Sequence, residues 1–277
     1  MTLIYIIIIK TDKNEVDMRN IAVVTGASSG LGEEFSRQLS KEGYHVIMVA
    51  RRKDRLLAIQ SELAGTSSIY TADLSKKKEI NKLCESIEDE LGKNPGNKLS
   101  VFINNAGFGL SGRFEDCDEK REIEMVDVNI KALHRLTKRM LPLMDKESGG
   151  YILNIGSSAG LFPAGPYMAT YYATKAYVVS LTRAIAHELK KSASKTYIGV
   201  LCPGPVDTQF NAVANVVFAL KGMSASSCVS YALKMMKKRK VVIVPTLRMK
   251  LACSLSRLLP GSLVIPMVAH QQHKKMG

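Results

Sequence analysis

Tyr171 and Lys175 stand four residues apart in a segment whose apolar residues recur with helical period, so both side chains leave one helical face. A free phenol titrates near pH ~10 and exchanges protons poorly at neutrality. An ammonium within ~4–6 Å favours the phenolate and lowers that pKa, which makes proton exchange with an alcohol or carbonyl oxygen feasible. Tyr167 and Tyr172 compete for the part, but neither has a lysine four residues later. A second constellation, Thr25-Gly26-Ala27-Ser28-Ser29-Gly30-Leu31-Gly32, follows a β-branched run and opens a helical segment. Glycines at 26, 30 and 32 let the backbone turn sharply and come close to a ligand. The free N–H groups of the helix start, beside Ser28, Ser29 and Leu31, then face an anion such as a pyrophosphate.

The elements that must hold these groups are legible from periodicity. Short apolar runs at 21–24, 45–49, 68–70, 99–103, 151–155, 198–201 and 241–244 alternate with segments of helical period at 31–42, 53–63, 76–91, 119–144 and 169–191. The runs are spaced widely enough for a crossover helix between each pair, as parallel β-α-β units require. The pattern predicts an α/β fold of Rossmann type: a doubly wound, seven-stranded parallel sheet with helices on both faces. Three regions follow: an N-terminal arm over 1–19, one domain over 20–245, and a basic, apolar tail over 246–277.

The G-x-x-x-G-x-G spacing with threonine in front resembles the short-chain dehydrogenase/reductase family, and further motifs in the same order extend the resemblance over residues 20–208. Asp73 and Leu74 match the family's acidic stretch after the third strand, which contacts adenine. Asn104-Asn105-Ala106-Gly107 matches its N-N-A-G, placing Asn105, Ala106 and Gly107 at the cofactor. Pro203, Gly204, Val206 and Thr208 fall in its P-G-x-x-x-T segment over the nicotinamide half. The resemblance makes Tyr171 and Lys175 the catalytic pair, with Lys175 also binding the nicotinamide ribose, and makes Asn129 the residue that helps hold a proton-relay water. For the catalytic serine, the strand context selects Ser157, whereas an interval of thirteen residues to Tyr171 selects Ser158. Strand alternation fixes which side chain faces the site, while a loop absorbs an insertion, so Ser157 is preferred.

Cofactor choice is read at the end of the second strand, where an acid would bind the ribose 2′-hydroxyl of NAD. Here Ala50 is followed by Arg51, Arg52 and Lys53. Guanidinium groups suit a 2′-phosphate, so NADP is expected, with Arg51 as its partner. Arg52 and Lys53 are read as solvating the start of the next helix.

Composition bounds the rest. The chain has 277 residues with 46% hydrophobic and 23% charged side chains, enough for a full core without disulfides. Five scattered cysteines, with no C-x-x-C pair and no histidine at metal-ligand spacing, predict reduced thiols, no metal and a cytoplasmic setting. The net charge of +14 is read as spread along the chain, and no nucleic-acid partner is expected. The seven apolar residues Leu3 to Ile9 are too few to span a bilayer. The tail leaves three readings open: packing on its own domain, lying on a membrane, or covering a subunit interface. The expected partners are a hydrophobic carbonyl or alcohol and a second copy of the chain, with membrane contact through the termini as a further option. An NADP-binding module without turnover, or a membrane-surface or assembly protein, is the alternative to an enzyme.

Overall fold

The computed structural model describes residues 19–145, 147–208 and 222–273. β1 (Asn20–Thr25) is buried from Ile21 onward, with Ala22 and Val24 in one core and Ile21 and Val23 in the other. A strand apolar on both faces needs a helical layer on each side. On the first side α1 (Gly30–Lys41) and α2 (Lys53–Ser61) supply Phe35, Leu39, Leu56 and Ile59. On the second, α3 (Lys77–Gly92) supplies Ile80, Leu83 and Ile87. Each such side chain contributes roughly 1.5–3 kcal/mol when fully buried.

The sheet continues through β2 (His45–Ala50), β3 (Ser67–Thr71), β4 (Lys98–Asn104), β5 (Tyr151–Ile155) and β6 (Tyr197–Leu201). β7 (Val206–Asp207) and β8 (Met223–Ser224) pair separately, and β9 (Val242–Ile243) is the last strand of the main sheet. The order is β3-β2-β1-β4-β5-β6-β9 with every pair parallel, so the expected seven-stranded doubly wound sheet is the fold of this chain. Its order reverses between β1 and β4, and in open α/β sheets ligands bind beyond the carboxyl ends of the strands at such a point.

The helix expected over 119–144 is interrupted. α4 (Glu119–Val126) passes into a π-helical turn, Asp127–Ala132, before α5 (Leu133–Met140). Such widened turns concentrate at functional sites, and this one carries Asn129, which is wholly buried. α6 (Ala169–Lys191) matches its expected span. Between these helices and the sheet, Asn104 Nδ2 donates to Thr137 Oγ1, Thr137 Oγ1 to Asn154 Oδ1, and Asn154 Nδ2 to Thr182 Oγ1. This buried chain of satisfied polar groups ties β4 and β5 to α5 and α6, which sets the helix carrying Tyr171 against the sheet.

α7 (Ala225–Lys237) packs on α1, and α8 (Leu247–Leu255) and α9 (Gly261–His273) follow. Val264 and Val268 of α9 join Tyr171, Tyr172 and Met168 in one apolar cluster, so the tail packs on its own domain. Of the arm only Arg19 is described. The apolar residues Phe210, Val213, Val216, Val217, Phe218 and Leu220 that follow Thr208 in the sequence lie outside the described residues. The described roof is α8 and α9.

Candidate active site

The glycine turn is built by close approach. Gly26 and Gly30 have φ of +66° and +58°, where a side chain is strained. A Cβ on Gly32 would overlap the Gly26 carbonyl oxygen and stand 2.6 Å from Asn105 Nδ2. Asn105 Nδ2 donates to the Thr25 and Gly26 carbonyls, while Thr25 Oγ1 accepts the backbone N–H groups of Asn105 and Ala106. Thr25 and Asn105 thus lace the ends of β1 and β4 into one cradle. Ser29 takes the N-cap position of α1 without a side-chain capping bond, which leaves the helix start to an anion. Thr208 leans over the turn, with its Cβ 3.2 Å from where a Gly30 Cβ would be. Gly32→Ala is therefore expected to weaken binding of a dinucleotide cofactor at this turn more than about tenfold, read by cofactor fluorescence; wild-type affinity would contradict this geometry.

The reacting end lies across α6. Tyr171 is hydrogen-bonded to the Ser157 side chain. Ser157 Oγ also accepts the Ala159 N–H at 3.1 Å, and Ser158 spends its own N–H on the Pro203 carbonyl at 2.8 Å. Of the two serines, Ser157 is the one against the phenol. Lys175 Nζ donates to the Ile155 carbonyl at 2.9 Å and lies 5.8 Å from the centroid of the Tyr171 ring. Burial pushes the Tyr171 phenol up to about 12, against the lowering effect of its Ser157 hydrogen bond. Burial pulls Lys175 down to about 8. The spacing predicted an acidified tyrosine; here the ammonium faces a peptide carbonyl and the ring, and burial is the largest influence on both groups. Burial thus favours the protonated form of Tyr171.

All the expected site residues line one cavity of about 1530 Å³ except Gly32 and Asn129. Gly32 sits behind the turn, packed on Gly26. Asn129 Nδ2 donates to the Phe108 carbonyl at 2.9 Å and to Thr174 Oγ1 at 3.1 Å, and Oδ1 accepts the Phe108 N–H at 3.1 Å. These bonds hold the loop after β4 against the π turn.

At the far end of the cavity, Arg52, exposed at the start of α2 as expected, also turns toward the glycine turn. Its guanidinium donates to Ser28 Oγ at 3.0 Å and to the Ser28 carbonyl at 3.3 Å, which holds it against the glycine turn. Arg51 instead reaches Glu124 at 3.2 Å, with 62% of its side chain exposed. Asp73 is held as a carboxylate: burial raises its pKa, but hydrogen bonds from Ser75 and the nearby Lys76 ammonium outweigh it and lower it overall. The cavity roof, missed from sequence, comes from Met249, Ala252 and Leu255 of α8 and Val264, Met267 and Val268 of α9. Gln272 Nε2 donates to Tyr172 Oη at 2.5 Å, and Tyr167 packs edge-on against His273, so α9 engages both competing tyrosines. The only sequence signal for this roof is the tail's apolar composition.

The profile described as short chain dehydrogenase matches residues 20–216. An uncharacterized oxidoreductase of Staphylococcus aureus is 36% identical over 196 residues, covering 70% of this chain and 81% of that protein. A short-chain dehydrogenase from Sphingobium yanoikuyae in complex with NADPH superposes with a TM-score of 0.74 at 28% identity, covering 86% of this chain and 92% of that one. A Burkholderia phymatum short-chain dehydrogenase/reductase in complex with NAD shares the fold, with a TM-score of 0.76 at 21% identity and the same coverage. The chain belongs to the short-chain dehydrogenase family and is an oxidoreductase of the nicotinamide-dependent, hydride-transferring kind. Among the described residues no helix is long and apolar enough to cross a membrane.

Proposed function

We propose that the protein is an NADP-dependent carbonyl reductase acting on a hydrophobic ketone or aldehyde. The observation that carries this reading is a single cavity running from two guanidiniums, across a glycine turn, to a buried phenol under an apolar roof. The residues fit the cofactor: no Cβ fills the cradle at Gly26, Gly30 and Gly32, cations stand where a 2′-phosphate would lie, and Lys175 stands at the opposite end. When bound, the reduced nicotinamide supplies the hydride for the carbonyl carbon. Tyr171 donates its phenolic proton to the carbonyl oxygen as that oxygen gains charge. Ser157 orients the oxygen by a second hydrogen bond. Lys175 presents a cation beneath the ring and is placed to hold ribose hydroxyls. Asn129 fixes the loop after β4, and through it the wall of the site and the path by which Tyr171 regains a proton.

Specificity for the phosphorylated cofactor is assigned first to Arg52 and second to Arg51. Charge-assisted hydrogen bonds are worth about 1.5–3 kcal/mol, roughly tenfold to a hundredfold in affinity. Arg52→Ala is expected to weaken NADPH by that factor and leave NADH nearly unchanged. Arg51→Asp should shift preference the same way, and the double substitution should reverse it. Equal use of both cofactors by the wild type would refute the assignment. The reading as a whole is tested by NADPH oxidation with a panel of apolar ketones and aldehydes.

A further inference from the structure

The 25 acidic residues all precede position 208, whereas residues 208–277 hold 11 lysines and arginines. The net positive charge, read along the chain as spread, therefore falls mostly in the last quarter, where no acid offsets the cations. Arg248, Lys250 and Arg257 are exposed on and just after α8, with Lys250 also reaching the Tyr231 hydroxyl. Between and beyond them, large apolar side chains face outward: Leu247 is 71% exposed, Leu251 57%, Leu258 81%, Leu263 57% and Met267 65%. α8 and α9 are thus apolar on both sides, since Cys253, Val264 and Val268 fill the inner face. Large apolar side chains on both faces of a helix call for an apolar medium on each side. One is the protein core. The other is not supplied by the described residues, and a patch of this extent on a monomer marks an interaction surface.

We infer that α8 and α9 dock the protein on the surface of an anionic lipid bilayer. Charge selects this occupant. A second copy laid on the same face across a two-fold axis would bring cation against cation with no acid in α8 or α9 to pair them. Anionic headgroups complement the arginines and lysine, while leucines at the headgroup boundary bury their side chains in the acyl region. Helices of 9 and 13 residues lie on a bilayer and do not span it. The face is continuous with the catalytic cavity, because Leu255 and Met267 are exposed outside and also line it. An apolar ketone dissolved in the bilayer would then enter at the roof; this delivery role rests on the reading of the substrate as hydrophobic.

The test uses the full chain and vesicles, without turnover, so it fails or succeeds independently of the substrate reading. Sedimentation with vesicles of phosphatidylcholine plus phosphatidylglycerol should bind the protein at least about tenfold more tightly than pure phosphatidylcholine, with the difference lost in high salt. The triple variant Leu251→Glu, Leu258→Glu, Leu263→Glu should no longer bind, while its NADPH affinity, read as a check of folding, stays unchanged. The chain has no tryptophan. Leu258→Trp therefore gives a single reporter whose emission should shift to the blue on adding anionic vesicles. That variant decides the matter if the triple variant loses NADPH binding. No binding to anionic vesicles, binding untouched by the glutamates, an unshifted indole emission from Leu258→Trp, or a soluble dimer that the glutamates dissolve would each overturn the proposal.

Discussion

Tyr171→Phe is expected to lower turnover in carbonyl reduction by about a thousandfold or more while leaving the NADPH dissociation constant within about twofold of wild type. General acid catalysis by a placed side chain contributes roughly 10²–10⁴ in rate, and the lost hydroxyl is the only change. The ring, which fills the cluster with Tyr172, Met168, Val264 and Val268, is kept. Burial pushes the phenol up to about 12, which favours the protonated form that reduction of a ketone uses. Steady-state rates and fluorescence titration of the same preparation separate the two effects. A variant retaining a tenth of the rate would mean that the proton comes from elsewhere, and Ser157 would be the next candidate.

Lys175→Met should change activity and stability in opposite directions. The ammonium is buried against the Ile155 carbonyl, and its pKa falls from 10.5 to about 8. A buried cation with a depressed pKa costs the fold stability wherever the folded chain keeps it charged. That cost is fully present below about pH 8 and fades between pH 8 and 10.5, where the unfolded chain also sheds its proton. It amounts to roughly 3 kcal/mol at neutral pH. Methionine keeps the stem and removes the charge, so the melting temperature at pH 7 should rise by roughly 5 °C, with the gain shrinking toward pH 10. Turnover should fall at least about a hundredfold, the stability–activity trade-off of a site that stores strain. An equal or lower melting temperature at pH 7, or a gain independent of pH, would show that the ammonium is better satisfied than its surroundings indicate.

The order of motifs in the sequence carried the sheet and most of the site because each sits at a strand end whose position the alternation of runs determines. Gly26, Asn105, Ser157 and Thr208 come from four separate segments, and only a parallel sheet brings them to one edge. What sequence could not supply was direction and environment. Arg51 and Arg52 are chemically alike, and which of them turns back to the glycine loop depends on the φ and ψ of the helix start, where Arg52 is the N-cap of α2. The spacing of Tyr171 and Lys175 predicted an acidified phenol, whereas the ammonium lies over the ring and bonds the Ile155 carbonyl, and burial is the larger influence on the phenol. Asn129 sits in a helix whose period hides the π turn that frees its amide for Phe108. The tail resisted assignment because α8 and α9 are apolar on both sides, so periodicity could not tell the packed face from the open one.

Hydride transfer to a carbonyl carbon, with the proton supplied by Tyr171, is tested most directly by isotope placement. The enzyme is incubated with an apolar ketone and NADPH carrying deuterium at both C4 positions, and the label in the product is located by mass spectrometry and NMR. One deuterium on the carbinol carbon, none on the oxygen, and no product from Tyr171→Phe is the predicted result. Bound NADPH that is never oxidised by any carbonyl offered, or an alcohol free of deuterium, would contradict it.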